Sequence, residues 1–184
     1  VKDFLKKLAQ EERKILRNLG VKFGRYHIFL FKLFKPSAVS LRIALWKNFH
    51  QKYFDLKPPT FGLNFLIEKK EYSKDFMLLC GFEKFDNFFV RIDILERLFM
   101  KIMNLRNENE KEKEIKLIPE MLNLLGCSKE NFIKLIKKMN YSSYSKNDET
   151  YFKYAPTRNN RKQFSPKIIK KENPFSILKN INFK

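Results

Sequence analysis

Residues 118–154 read IPEMLNLLGCSKENFIKLIKKMNYSSYSKNDETYFKY, and how that stretch is parsed decides the fold. Pro119 has the fixed φ that suits a first helical residue. Ile118, Met121, Leu122 and Leu125 then share one face. Gly126-Cys127-Ser128 makes a turn, and a second helix follows. Its stripe of Phe132, Leu135, Ile136 and Met139 keeps the i, i+3, i+4, i+7 spacing of a buried face, while Asn131, Lys134, Lys137 and Lys138 lie opposite. Two short helices across a tight turn containing Gly fit a helix-turn-helix. Tyr141 and Tyr144, the polar turn Lys146-Asn147-Asp148, and Thr150 to Tyr154 then read as a β-hairpin.

Working outward, Asp93 with Glu96 resembles a capping box that opens a third helix, with Leu95, Leu98, Ile102 and Leu105 as its stripe. With a strand at Phe88 to Arg91 before it, the region from about Phe88 to Tyr154 is expected to be a winged-helix-like unit. Asn107 to Lys116 balances Glu against Lys and reads as a solvated helix end or loop. A short helix is expected at Ser73 to Leu79. Lys57-Pro58-Pro59-Thr60 breaks the chain, because consecutive prolines continue neither a helix nor a ladder.

Residues 2–19 read as one helix ending at Gly20, with Leu5, Leu8, Ile15, Leu16 and Leu19 on one side. Val21 to Phe31 changes to strand character, with two short strands around Gly24-Arg25. Pro36 opens another helix, where Ala38, Leu41, Leu45 and Phe49 form one stripe and Val39, Ile43 and Trp46 the next; a wide buried face is expected. The expected fold class is therefore α+β and mostly helical. Its parts are a helix, two strands and an amphipathic helix in 1–56, a linker and short helix in 57–87, the winged-helix-like unit in 88–155, and a basic disordered tail in 156–184.

The chain has 39 Lys+Arg against 20 Asp+Glu, a formal charge of +19. A base-composition bias that favours lysine codons would favour acids too, so the excess points to a polyanion: nucleic acid or an anionic membrane surface. From Gly20 to Lys52 there is no Asp or Glu at all, although Lys22, Arg25, Lys32, Lys35, Arg42, Lys47 and Lys52 are present. In the tail, Arg158, Arg161, Lys162, Lys167, Lys170, Lys171, Lys179 and Lys184 face only Glu172. Within it, Asn173 to Leu178 followed by Ile181 is an apolar island, and Pro174, Phe175 and Leu178 are its candidate docking residues.

Cys80 and Cys127 stand alone, without C-x-x-C or a nearby His cluster, so two ordinary thiols in a reduced, cytoplasmic chain are expected. No apolar run reaches the roughly 18 residues of a membrane-spanning helix, and no signal-peptide pattern opens the chain. It begins at Val1, and we expect it to be a piece of something longer.

Chemistry is sparse. There is no Gly-rich phosphate cradle, and His27 and His50 lack the spacing of a metal or nucleophile-base pair. Asp148-Glu149-Thr150-Tyr151 has the letters of a helicase acidic box but falls in the hairpin turn. No catalysis and no cofactor are expected within this chain. Binding remains: phosphate contacts by Lys22, Arg25, Lys35, Arg42, Lys134, Lys137, Lys138, Arg158, Arg161 and Lys162, with Tyr26, Tyr141 and Tyr144 available to stack on unpaired bases. A solvated lysine face would carry the same letters.

Four segments stand in a recognisable order: LRNLGVKFGRYHIF with LFKPSAVSLRIALW (Leu16–Phe29, Leu33–Trp46), FFVRIDILERL (Phe88–Leu98), LLGCSKENFIKLIKKMNY (Leu124–Tyr141) and NPFSILKNI (Asn173–Ile181). Together they resemble the C-terminal region of bacterial superfamily-two helicases related to the mitochondrial RNA-degradosome helicase. Phe31 departs from the pattern, where relatives more often have proline. The resemblance implies an ATP-dependent RNA or DNA helicase whose motor domains lie upstream in the same polypeptide, ATP and Mg belonging to that parent, and an RNA-degradation protein as a possible partner. The family's ATP-binding residues have no matching positions here. A stand-alone winged-helix DNA-binding protein is the second expectation, and a scaffold or membrane-surface module using Phe29, Phe31 and Phe34 the third.

Overall fold

The computed structural model describes residues 1–51, 55–69, 72–108 and 114–155. The elements run α1 (Lys2–Lys7), α2 (Gln10–Asn18), β1 (Val21–Phe23), β2 (Ile28–Leu30), a 3-10 turn (Phe31–Phe34), α3 (Pro36–His50), β3 (Phe65–Ile67), α4 (Lys74–Leu79), β4 (Phe82–Phe85), β5 (Phe88–Arg91), α5 (Ile92–Glu108), β6 (Glu114–Lys116), α6 (Pro119–Leu125), α7 (Lys129–Lys138), β7 (Tyr141–Lys146) and β8 (Glu149–Tyr154). The fold is α+β, and the described residues form three small antiparallel sheets: β1-β2, β3-β5-β4 and β6-β8-β7.

The middle sheet organises the molecule. β5 is its central strand, and successive side chains of a strand point to opposite faces. Phe88 and Val90 therefore enter one core, with Leu95, Leu98, Phe99 and Ile102 of α5, Met121 and Leu125 of α6, and Phe132, Leu135 and Ile136 of α7. Phe89 enters the other, with Val39 and Ile43 of α3, Phe76 and Met77 of α4, and Phe82 of β4. A boundary at residue 88 would fall between β4 and β5, inside a hairpin. The stretch 57–87 carries β3 and β4 beside the short helix expected there, and Pro59 is buried.

Two helices, α6 and α7, form on either side of the Gly126-Cys127-Ser128 turn. Gly126 takes φ 70 at the end of α6, and the Ser128 hydroxyl accepts the Asn131 N–H at 3.4 Å to cap α7. β7 and β8 meet in a two-residue turn with Asn147 and Asp148 at φ 51 and 59, the left-handed pair that a type I′ hairpin requires. The strands around Gly24-Arg25, the start of α3 at Pro36 and the helix capped by Ser73 also form where expected.

Four expectations need correction. Residues 2–19 are two helices: Leu8 turns extended at φ −92, ψ 132, and the break is satisfied locally, since the Glu12 carboxylate accepts the Ala9 N–H at 2.7 Å and Arg13 donates to the Leu8 carbonyl at 2.8 Å. Glu114 to Lys116 is not loop but strand, pairing with Tyr151 to Lys153 and burying Ile115. Only one stripe of α3 is covered: Val39 and Ile43 are buried, whereas Leu41 and Leu45 are each 61% exposed and Phe49 82%. Apolar residues lie on both sides of that helix, and among the described residues α4 with its sheet covers only one. Asp93 and Glu96 do not form a capping box. Asp93 takes a two-pronged ion pair from Arg91, at 2.7 and 3.1 Å, and Glu96 reaches away from its own helix.

Candidate nucleic-acid interface

Glu96 is the hinge of the surface. It sits on the core side of α5, between Ile92 and Phe99, and is itself buried. Its carboxylate accepts the backbone N–H groups of Arg25 at 2.6 Å, Tyr26 at 2.8 Å and His27 at 2.8 Å, so the β1-β2 loop wraps around it. Such a close approach needs a glycine: a Cβ on Gly24 would stand 2.3 Å from the Glu96 Cδ. His27 lies between two carboxylates, with Nδ1 3.2 Å from Glu96 and Nε2 3.5 Å from Glu83 of β4. Burial opposes ionisation of Glu96, but His27 and the three N–H groups outweigh it and hold its pKa below the ordinary value. Burial likewise opposes protonation of His27, and the two carboxylates outweigh that and raise its pKa. An aromatic chain continues from the loop: Tyr26 packs edge-on to Phe99 at 4.5 Å, Phe99 reaches Tyr141, and Tyr141 reaches Tyr154. The N-terminal hairpin and the β7-β8 sheet thus meet on one side.

Lys22 and Arg25 are exposed on the β1-β2 hairpin, and Lys35 is exposed just before α3. Arg42 is half-exposed and close enough to Cys80 to act on its thiol electrostatically. Lys134, Lys137 and Lys138 are exposed on α7 opposite the buried stripe. They are not equivalent: Lys138 pairs with Asp86 at 2.7 Å, while Lys134 and Lys137 form no ion pair among the described residues. Between β6 and β8, Lys116 is paired with Glu149, and Lys153 approaches Glu114 at 4.0 Å. Arg158, Arg161, Lys162, Pro174, Phe175 and Leu178 lie outside the described residues.

Sequence reasoning gave Glu96 only a capping role and missed Arg97. The signal for Glu96 was its place on an apolar face, where a carboxylate needs partners. Arg97, next to it, is exposed and without an ion pair among the described residues. Cys80 is buried and Cys127 half-buried, and burial pushes both up to about 11, which leaves them protonated and unreactive near neutrality. Of Phe29, Phe31 and Phe34, only Phe31 is exposed; the other two pack on each other at 5.5 Å.

Among the described residues no helix is long and apolar enough to cross a membrane. Comparison with protein-family models, curated proteins and solved structures finds no match to this chain.

Proposed function

We propose that this chain is a nucleic-acid-binding accessory unit, with residues 92–154 acting as a winged helix, α7 as its exposed basic helix and β7-β8 as its wing. The observation that carries this is the distribution of cations: Lys134 and Lys137 on α7 and Lys22 on the hairpin are exposed and have no ionic partner among the described residues, on a chain of formal charge +19. The order helix, strand, two helices and two strands, with β6 paired to β8 and β8 to β7, supports the winged-helix assignment. The ordered motifs from Leu16 to Ile181 support a place at the C-terminal end of a cytoplasmic ATP-dependent RNA or DNA helicase, with ATP, Mg and catalysis in upstream motor domains.

The test is a salt titration of the isolated chain against single-stranded RNA, single-stranded DNA and duplex. Binding that weakens linearly in log[salt], with little sequence preference, is expected. Lys134→Gln with Lys137→Gln should cut the slope on duplex by about 2, near 0.9 for each phosphate contact, whereas Lys138→Gln should do less because Asp86 already neutralises it. No binding to any of the three would remove the proposal. Sequence-selective duplex binding would favour the stand-alone regulator instead.

A further inference from the structure

A groove runs between the β1-β2 hairpin and α5, with a volume of about 340 Å³, at the small end of the range for ligand pockets. Its apolar walls are Phe23, Phe29, Phe31 and Met100, and its rim carries Lys22 and Arg97. Phe31 is 48% exposed and Met100 64%, so this apolar surface is open to solvent. Two acids also line the groove, Asp93 and Glu96, but neither faces outward as a free charge. Asp93 is held by Arg91, and Glu96 by His27 and the three loop N–H groups. Lys22 and Arg97 have no ion pair among the described residues. Among the described residues the groove therefore presents aromatic rings and two cations without an ion pair, with its negative charge spent internally.

We propose that this groove seats an unpaired base of a single-stranded nucleic acid, Phe31 providing the stacking surface while Lys22 and Arg97 hold the flanking phosphates; this rests on the nucleic-acid reading above. The pairing of ring and cation suits that ligand, because every base has a π-face and every linkage a negative charge. A duplex, whose bases are already stacked, cannot use the rings. Stacking does not sense the 2′-hydroxyl, so RNA and DNA strands compete for the same groove.

Fluorescence anisotropy separates the possibilities, using labelled strands of uridine, of thymidine and of abasic linkages, each of about 12 nucleotides, within the site sizes such proteins cover. Phe31→Ala should weaken the uridine and thymidine strands about tenfold each, and leave the abasic strand and a duplex unchanged. Arg97→Gln should lower the salt slope on single strands, abasic included, by about 0.7. Phe31→Trp should retain affinity, and its added indole should be quenched when a base-containing strand binds but not an abasic one. Equal affinity of Phe31→Ala and the wild type for the uridine and thymidine strands would overturn the groove, as would absence of that quench. If Lys134→Gln with Lys137→Gln weakens binding while Phe31→Ala does not, the groove falls and the broader proposal stands. If the wild-type chain binds no nucleic acid, both fall.

Discussion

At the scale of single residues, one carboxylate fixes the geometry of the surface. Glu96 ties α5 to three consecutive loop N–H groups, and each charge-assisted bond is stronger than a neutral one. Glu96→Ala should destabilise the chain by about 2–3 kcal/mol in urea unfolding, and Glu96→Gln by less, since it keeps an acceptor oxygen. Gly24→Ala should behave like Glu96→Ala, because its Cβ would occupy the carboxylate's place. The clasp also has a pH signature. Glu96, lowered from 4.5, contributes stability that is present above that value and lost as pH falls through its folded pKa. His27, raised from 6.5, contributes stability that is full below that value and lost as pH rises through its folded pKa. Both contributions are in force together between 4.5 and 6.5. The thermal midpoint should therefore fall between about pH 5.5 and about pH 8.5, and His27→Gln should flatten that difference. A midpoint that keeps its full pH dependence in His27→Gln would show that another group is responsible.

At the scale of elements, α3 shows how little periodicity says about coverage. Its two apolar stripes are indistinguishable by composition, yet only Val39 and Ile43 are buried. Ile43→Ala should cost about 2–4 kcal/mol through lost burial and the cavity left behind. Leu45→Gln, on the open side, should stay within about 0.5 kcal/mol. The two together form a direct measurement, by chemical denaturation, of which stripe the fold uses; a large loss from Leu45→Gln would place the buried face wrongly. α7 has the opposite character. Its apolar stripe and its lysines were separable from the letters alone, because all the apolar residues share one side and α7 packs that side on the core. What the letters did not show was that Asp86, on the β4-β5 turn, takes Lys138 out of the free set.

At the scale of the whole molecule, the two cores are the two faces of one sheet. Removing side chains from either face of β5 disturbs the strand that both share, so the described part should unfold as one unit. Trp46, the single tryptophan, packs against the core that contains Phe76 and Phe89. Its fluorescence and the far-UV circular dichroism should therefore trace coincident transitions. Phe89→Ala and Phe132→Ala, in different cores, should each lower that common transition by about 3–5 kcal/mol. Two resolved transitions would instead mean that the sheet does not couple the cores.

The sequence by itself determined the α+β class, the two helices either side of Gly126, the hairpin after them, the strands around Gly24 and the basic bias. These follow from short-range physics: helical and strand periods, a Pro at a helix start, a Gly at a helix end, and left-handed Asn and Asp in a tight turn. Only the tertiary structure decided that β3 and β6 are strands, since three-residue segments gain their order from partners rather than from propensity. It also decided which face of α3 is covered and which lysines are already paired. Above all, it joined Glu96 to a loop 69 to 71 residues earlier. No local pattern encodes that contact, because a carboxylate on an apolar helix face announces only that it needs hydrogen-bond donors, and the fold alone chooses which donors arrive.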